Sequence, residues 1–163
     1  MLIQHFQTLA RYNTLANQRL YDACAQLSDA DRKQPRPAFF KSIYGTLNHI
    51  LVGDRIWLKR FEGEQIDSTG LDAILYEEFE ELRSARVIED QRIQAFATGL
   101  TAAFLTQTFE YTNNQGKPCA DPGALLVAHL FNHQTHHRGQ VHDLLTQTIV
   151  APPVLDLHRV LRP

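Results

Sequence analysis

The chain has 163 residues, of which 44% are hydrophobic and 21% charged, a balance that predicts one globular domain over residues 1–163. Its 16 basic and 18 acidic residues give a formal net charge of −2 without a run of Lys or Arg, which argues against direct binding to nucleic acid. No apolar stretch reaches the roughly 18 to 20 residues of a membrane span, and the first residues lack the order of a secretory signal, so we expect a cytoplasmic protein that does not bind a membrane.

The first predicted helix covers residues 2–27, where apolar side chains recur at spacings of three and four. Asn13 interrupts its apolar face. Ser28, followed by Asp31, predicts the cap of a short turn, because a serine with an acidic residue three positions later is typical of a capped start. Two prolines, at positions 35 and 37, then break the helical pattern.

A second helix of about 20 residues is expected to begin after Ser42, a typical N-cap, and to end at Gly63, where a left-handed residue is favoured. A polar connection containing the sequence DSTG leads to a third periodic segment. This segment carries apolar residues from position 75 to position 100, and Arg86 and Glu89 interrupt it midway. We predict that it is helical.

The stretch QTFEYTNNQGKPCADP breaks the helical pattern, because the alternating Phe109 and Tyr111 followed by Asn, Gly and Pro favour a short extended excursion or hairpin. Pro122 is expected in the first turn of the last helix, which runs to about Thr148 before the sequence APP ends it. Four long helices with almost no strand signal predict an all-α fold, a four-helix bundle with a short extended excursion before the last helix.

Five of the eight histidines fall within HLFNHQTHHRGQVH, residues 129–142. The apolar stripe of the last helix has a gap that only His133 and His137 fill. The neighbouring stripe, which includes His136 and Gln140, is mostly polar and is expected to face water or a partner. His133 and His137 are therefore predicted to point inward, one helical turn apart, where two imidazoles can share one cation.

Two neighbouring imidazoles in an apolar stripe need polar partners, and a divalent metal satisfies both. The alternative is that both are ordinary polar residues in a partly open core. His49 is the candidate for a third ligand, because the other histidines outside the cluster, His5 and His158, lie near the chain ends and are expected at surface or packing positions. His142 is expected to be exposed.

Two residues of the second helix bear on this site. Gly53 lies one turn after His49 on the same side, which leaves room for a bound ligand or water. Asp54 points about 140° away from His49 around the helix, so we expect it to support the site from behind or to join a core network rather than to bind metal. A solvent-exposed or capping position is the alternative for Asp54.

Other metal-site classes fail at particular residues. A zinc-protease HExxH motif needs Glu directly after the first His, whereas Gln134 follows His133. A di-iron bundle needs Glu three positions before each inward histidine, and none stands there. Cys24 and Cys119 are in no metal-binding spacing and are expected to be reduced thiols.

Three segments resemble the DinB-like family of metal-binding four-helix bundles, which includes the YfiT-like metal-dependent hydrolases and the transferases of low-molecular-weight thiols. HLFNHQTHHRGQVHDLLTQ is similar to the last helix of this family, LNHILVGDRIWLKRF to its second helix, and RYNTLANQRL to its first. The resemblance runs over nearly the whole chain and implies up-down-down-up connectivity, a homodimer and a metal site of three histidines. The family's ligands match His49, His133 and His137, and its two asparagines match Asn13 and Asn17, at positions that pack or line the cavity.

Three imidazoles with an open coordination position are typical of a catalytic zinc site. Such a metal lowers the pKa of a bound water or holds a small thiol as a thiolate, so we expect a thiol-dependent transferase or a hydrolase that acts on a small electrophilic substrate. Zinc, nickel and iron(II) all accept imidazole, which leaves the metal open. Asp54, Glu62 and Tyr111 are the candidates for a general base, and none is assigned.

Two alternatives to an enzyme remain. In the first, the chain is a non-catalytic stress-response module in which the metal clamps the second helix to the fourth. A structural metal site normally has four protein ligands, so a fourth ligand from Asp, Glu or Cys favours the clamp, and an open position in a pocket favours the enzyme. In the second, the bundle binds no metal.

Overall fold

The computed structural model describes residues 1–66, 70–113 and 115–162, and the predicted four-helix bundle is confirmed. The long helices are α1 (Leu2–Ala25), α3 (Ile43–Glu62), α4 (Phe79–Thr98) and α6 (Gly123–Leu145), and the short ones are α2 (Asp29–Lys33), α5 (Ala102–Thr106) and α7 (Leu157–Val160). The strands β1 (Thr108–Thr112) and β2 (Pro118–Pro122) form an antiparallel hairpin before α6, as the extended excursion predicted. No helix in the described part of the chain combines the length and the apolar character that crossing a bilayer requires.

Capping residues set the helix boundaries as predicted. Ser28 accepts a hydrogen bond from the amide of Asp31 at the start of α2, and Ser42 accepts one from the amide of Gly45 at 2.9 Å at the start of α3. Gly63 follows the end of α3 with a φ of 71°, a left-handed conformation that a residue without a Cβ adopts at little cost. Local capping chemistry therefore places α2 and α3 where the sequence predicts them.

The third predicted helix is confirmed as α4, but it is shorter than the periodic segment from residue 75 to residue 100. α4 begins only at Phe79, because the side-chain oxygen of Asn48 accepts hydrogen bonds from the amides of Leu75 and Tyr76 and holds these residues in the non-helical connection before α4. The helix ends at Thr98, before the last apolar residue of the predicted segment. Of the predicted DSTG connection, residues 67–69 lie outside the described residues.

The last helix also differs from the prediction at both ends. Pro122 is not in its first turn but ends β2, with φ −64° and ψ 141°, and the amide of Gly123 donates to the Gln107 carbonyl at 2.8 Å. At the other end α6 stops at Leu145. Residues 146–148 tighten into turns in which each amide bonds the carbonyl three residues earlier, a common way to satisfy the last carbonyls of a helix.

The directions of the long helices follow from the contacts between them. Between two parallel helices, the residue numbers of successive contact pairs rise together, and between two antiparallel helices one number rises as the other falls. The pairs are Asp54–Arg86 and Glu62–Arg92 between α3 and α4, Asn17–Asp90 and Asp22–Arg83 between α1 and α4, Phe6–Phe131 and Asn13–Arg138 between α1 and α6, and His49–His137 and Trp57–His129 between α3 and α6. The numbers rise together for α3 with α4 and for α1 with α6, and run oppositely for the other two pairs. The connectivity is therefore up-down-down-up.

Two apolar clusters fill the two ends of the bundle. One includes Leu20, Leu47, Leu82 and Leu144, and the other includes Phe6, Leu58, Ile93 and Leu130. On each long helix, polar residues that are at most 3% exposed lie between the two clusters; this polar layer consists of Asn13, Asn17, Asp54, Arg86, Asp90, Gln134 and Arg138. The bundle therefore has a polar middle between two apolar ends.

The polar layer closes on itself across all four long helices. Its contacts are Arg86 and Gln134 donating to Asp54, Arg86 paired with Asp90, Asn13 and Asn17 donating to Asp90, and Arg138 donating to Asn13, Asn17 and Gln134. Two carboxylates balance two guanidinium groups. These contacts connect buried side chains of all four long helices, and a charge that is paired and hydrogen-bonded costs far less to bury than an isolated one.

Candidate metal centre

His49 is fixed in its orientation by a backbone carbonyl. Its Nδ1 lies 2.8 Å from the carbonyl oxygen of Leu71, in the connection between α3 and α4. Because a carbonyl oxygen only accepts hydrogen bonds, the proton of a neutral His49 resides on Nδ1, and its Nε2 presents a lone pair. The ring of Phe40 stacks on the face of the His49 imidazole, with ring centres 3.8 Å apart and an angle of 18° between the ring planes.

His137 is fixed in the same way by its own helix. Its Nδ1 lies 2.8 Å from the side-chain oxygen of Gln140, three residues later on α6. The amide nitrogen of Gln140 faces His136 Nε2 at 3.3 Å, which agrees with this orientation of the amide. His137 therefore also carries its proton on Nδ1 and presents the lone pair of Nε2.

One ring nitrogen from each of three histidines points toward a common position. His49 Nε2 lies 3.1 Å from the Nε2 of His133 and 3.1 Å from the Nε2 of His137, and one ring nitrogen from each of the three lies within 4.8 Å of the others. The unprotonated Nε2 atoms of His49 and His137 repel each other at this distance unless a cation stands between them, and the buried Nδ1 of His133 has no hydrogen-bond partner among the described residues. The three residues, called the histidine cluster below, therefore fit a divalent metal, and within the described ranges no Cys, Asp, Glu or other His joins them as a fourth ligand.

Gly53 makes room for the histidine cluster, as the sequence predicted. A Cβ at this position would lie 2.5 Å from Cε1 of His133 and 3.1 Å from its Nδ1. Real Cβ atoms do not approach a neighbour so closely, so any side chain at residue 53 displaces the His133 ring. The backbone of α3 thus comes close to α6 at the point where the two helices supply their ligands.

Burial keeps the histidine cluster neutral. It lowers the pKa of His49 to about 4, with a smaller contribution from His137, and lowers that of His133 to about 3, with contributions from the neighbouring histidines. Burial also lowers the pKa of His137, although the hydrogen bond that its Nδ1 donates to Gln140 acts in the opposite direction. Neutral imidazoles are the protonation state that binds metal, so the site favours it well below neutral pH.

The cluster opens into a cavity of about 460 Å³ between α3 and α6. Its walls include Phe39, Ile56, Trp57, Leu71 and the two outward histidines, His129 and His136. The polar stripe of α6 therefore does not simply face water, because His129, His136 and Gln140 line this cavity beside the cluster. An apolar pocket with a few convergent polar groups is the usual form of a small-molecule site.

His133 and His137 point inward from α6 as predicted, but they are less deeply buried than the prediction implies. His137 is 9% exposed, whereas His133 is only partly buried, and the deepest polar residues of the helix are Gln134 and Arg138. The pair therefore lies at the edge of the buried face, turned toward α3. This position is what gives a metal-binding nitrogen access to both the core and the cavity.

The candidate bases lie outside the histidine cluster. Asp54 is fully buried in the polar layer, bonded to Arg86 and Gln134, and burial raises its pKa to about 7. Glu62 pairs with Arg92. The Tyr111 hydroxyl donates to Asp121 at 2.9 Å, and burial with this hydrogen bond raises its pKa to about 12. None of these three side chains is among the residues that line the cavity.

His5, His142 and His158 lie outside the histidine cluster. His5 and His158 are exposed, as predicted, but His142 is partly buried, because its Nε2 lies 3.1 Å from the carbonyl oxygen of Pro153 in the C-terminal segment. Cys24 is buried and Cys119 partly buried, and both are free. The thiols therefore take no part in the histidine cluster.

Sequence reasoning missed the groups that hold the ligands. Gln140 stands three residues after His137, a helical spacing at which side chains meet, and this signal was present in the sequence. The Leu71 carbonyl and the Phe40 ring had no such signal, because they come from connections whose path depends on the whole bundle.

Comparisons with known proteins agree with this structure. The model of the DinB family matches residues 1–163. Protein DinB of Bacillus subtilis (strain 168) is 27% identical over 159 residues, which cover 91% of this chain and 88% of that protein. The crystal structure of a DinB-like protein from Bacillus cereus ATCC 10987 has a TM-score of 0.66 and 22% sequence identity, over 88% of this chain and 90% of that chain, and so shows the same fold.

Proposed function

Because this chain belongs to the DinB family, we propose that it is a metal-dependent enzyme whose metal is held by His49, His133 and His137. The observation that carries the proposal is the convergence of one ring nitrogen from each of three histidines beside a cavity, with the unprotonated Nε2 atoms of His49 and His137 only 3.1 Å apart. Three protein ligands leave a coordination position for a small molecule, which is the form of a catalytic rather than a structural site.

The proposed activity is a thiol-dependent transfer to a small electrophile, or the hydrolysis of one. A divalent metal supplies a Lewis acid that lowers the pKa of a thiol or a water. The protein itself holds His49 and His137 in one tautomer through Leu71 and Gln140 and covers His49 with Phe40. The apolar walls of the cavity shield the reacting groups from water, which strengthens electrostatic interactions there.

His129 is the proposed proton acceptor. It lines the cavity one helical turn from His133, with ring centres 5.9 Å apart. Burial and the nearby Arg60 lower its pKa, so its imidazole is neutral at neutral pH and has a free lone pair for a proton. The three bases considered from the sequence lack such a position.

The metal content of protein purified without a polyhistidine tag tests the site. We expect near-stoichiometric zinc, nickel or iron by mass spectrometry in the wild type and a loss of most of it in His49→Ala and His137→Ala. His136→Ala is the matched control, because His136 neighbours His137 on α6 and lies outside the cluster. Equal loss of metal in His136→Ala would contradict the assignment.

The activity is tested separately with the metal-loaded protein. We expect thiol-dependent consumption of an electrophile such as 1-chloro-2,4-dinitrobenzene, or hydrolysis of an activated ester, that a chelator abolishes and added metal restores. His129→Gln is expected to lower the rate while the metal content stays unchanged. A rate equal to that of the uncatalysed reaction with every thiol and ester would count against an enzyme.

The second candidate function is a metal clamp. One ligand comes from α3 and two from α6, so a bound metal ties two antiparallel helices together. A clamp predicts that metal raises the melting temperature without any turnover, whereas the enzyme shows both effects.

A further inference from the structure

The wall of the cavity formed by α3 is a single helical stripe. Gly53, Ile56, Trp57 and Arg60 follow His49 by four, seven, eight and eleven residues, and all five line the cavity. Eleven residues are about three turns, so Arg60 lies roughly 20° around and roughly 16 Å along the axis from His49. The cavity is therefore a groove with imidazoles at one end and a guanidinium group at the other.

The guanidinium group of Arg60 is held in place by its neighbours. Its Cζ lies 4.6 Å from the ring centre of Trp57 and 4.8 Å from that of Tyr111, and Nη2 donates to the Thr112 carbonyl at 3.0 Å. Contacts with two aromatic rings and a backbone hydrogen bond restrict the motion of this side chain. A cation fixed in this way loses little conformational entropy when it binds an anion.

Arg60 lacks the carboxylate partner that neighbouring arginines have. Arg55 pairs with Glu89 and Arg92 with Glu62, whereas no Asp or Glu of residues 1–66, 70–113 and 115–162 lies within ion-pair distance of Arg60. Burial lowers the pKa of Arg60, as expected for a cation that is partly removed from water. A fixed, partly desolvated cation facing a groove is a binding site for an anion.

We propose that Arg60 binds a carboxylate of the substrate at the end of the groove away from the histidine cluster. The substrate class is then a small, elongated molecule with a metal-binding group such as a thiolate at one end and a carboxylate at the other. The planar fork of an arginine matches a carboxylate with two parallel hydrogen bonds. The metal end of this inference rests on the proposed function, and the carboxylate end rests on Arg60 alone.

The experiment compares two ligands that differ only in the terminal group opposite the thiol, a carboxylate in 8-mercaptooctanoate and a neutral hydroxymethyl group in 8-mercaptooctanol. Trp57 is the single tryptophan of the chain and contacts Arg60, so its fluorescence reports binding at the carboxylate end with or without metal. In the cobalt(II)-loaded protein, the thiolate-to-metal absorption band reports the other end. We expect the carboxylate to bind about tenfold more tightly than the alcohol, which corresponds to one charge-assisted hydrogen-bonded contact.

Variants decide whether Arg60 causes this preference. Arg60→Met is expected to bind both ligands equally, and Arg60→Lys to keep part of the preference, because it retains the charge without the planar fork. Arg11→Met removes the same charge from an exposed position of α1 and is expected to keep the full preference. Metal content and melting temperature verify that each variant is folded.

The outcomes separate the two proposals. Equal affinity for both ligands in the wild type, or a preference that survives in Arg60→Met, overturns the carboxylate site even where the thiolate band is present. Absence of the band with both ligands contradicts thiol binding at the metal, while the Trp57 signal still decides the carboxylate site. If octanoate, which lacks the thiol, binds as tightly as 8-mercaptooctanoate, the carboxylate site at Arg60 is supported. The carboxylate and the thiol then belong to two different molecules.

Discussion

The polar layer and the histidine cluster are two buried polar groups within one bundle, and they differ in how their polar atoms are satisfied. In the polar layer, side chains of all four long helices bond one another, and Asp54 and Asp90 are balanced by Arg86 and Arg138. In the histidine cluster, the Nδ1 atoms of His49 and His137 have partners, but the Nε2 atoms face one another. The polar layer pairs its charges internally, with Asp54 Oδ1, Arg86 Nε and Arg138 Nε left without a hydrogen bond among the described residues, whereas the histidine cluster brings together nitrogens that a cation from outside would satisfy.

This difference distinguishes a structural from a functional polar group. The polar layer lies between two apolar clusters and away from the cavity, so its interactions fix the positions of the helices. The histidine cluster lies at the edge of the same core, where a ligand can enter. Removing part of the polar layer should therefore affect folding, and changing the histidine cluster should affect metal binding and pH dependence.

The largest effect is expected from Arg86→Met. This substitution leaves Asp54 and Asp90 buried without their shared cation, and breaking a buried ion pair from one side costs about 3–5 kcal/mol. Urea denaturation should show a corresponding decrease in the free energy of unfolding. Arg83→Met is the control, because Arg83 pairs with Asp22 at the exposed surface, where a salt bridge contributes about 1 kcal/mol or less.

A loss in Arg86→Met no greater than in Arg83→Met would show that the polar layer does not hold the bundle. His49→Ala in metal-free protein sharpens the comparison. It removes a nitrogen whose lone pair faces that of His137, so the free energy of unfolding should decrease far less than in Arg86→Met.

A smaller effect is expected from pH on the metal-free protein. Burial lowers the pKa of His49 to about 4 and that of His133 to about 3, whereas an unfolded histidine titrates at about 6.5. Below about pH 6.5 the unfolded chain binds protons that the folded chain does not, so this stability is complete above that pH and is lost as the pH falls toward 4. The denaturation midpoint of the wild type should therefore decrease between about pH 7 and pH 5.

Asp54 contributes with the opposite sign, because burial raises its pKa to about 7 and the folded chain then binds the extra proton. Both the wild type and His133→Ala retain Asp54, so the contribution of Asp54 cancels when the pH dependence of their denaturation midpoints is compared. The midpoint of the variant should fall less steeply with decreasing pH. Equal slopes in the two proteins would mean that His133 titrates normally and is not held neutral by burial.

The three histidines that converge were easier to predict from the sequence than the groups that orient them. His133 and His137 follow from their phase on one helix, and His49 from its place inside the second helix, so each is a local property of its helix. The partners of Asn13 and Arg86 were not predictable, although both interrupt apolar faces, because cross-helix pairing depends on the direction and register of four helices. The Leu71 carbonyl depends on the path of a long connection. The homodimer that the resemblance implies stays a prediction.

The smallest effect, and the one that separates folding from metal binding most cleanly, is expected from two glycines in the middle of helices. Gly139 on α6 faces open space, so Gly139→Ala should raise the free energy of unfolding by up to about 1 kcal/mol, the difference in helix propensity, and leave the metal affinity unchanged. Gly53→Ala gains the same propensity but places its Cβ against the His133 ring, so it should weaken metal binding. Metal titration and urea denaturation of both variants measure the two effects, and unchanged metal affinity in Gly53→Ala would mean that His133 can move without leaving the metal.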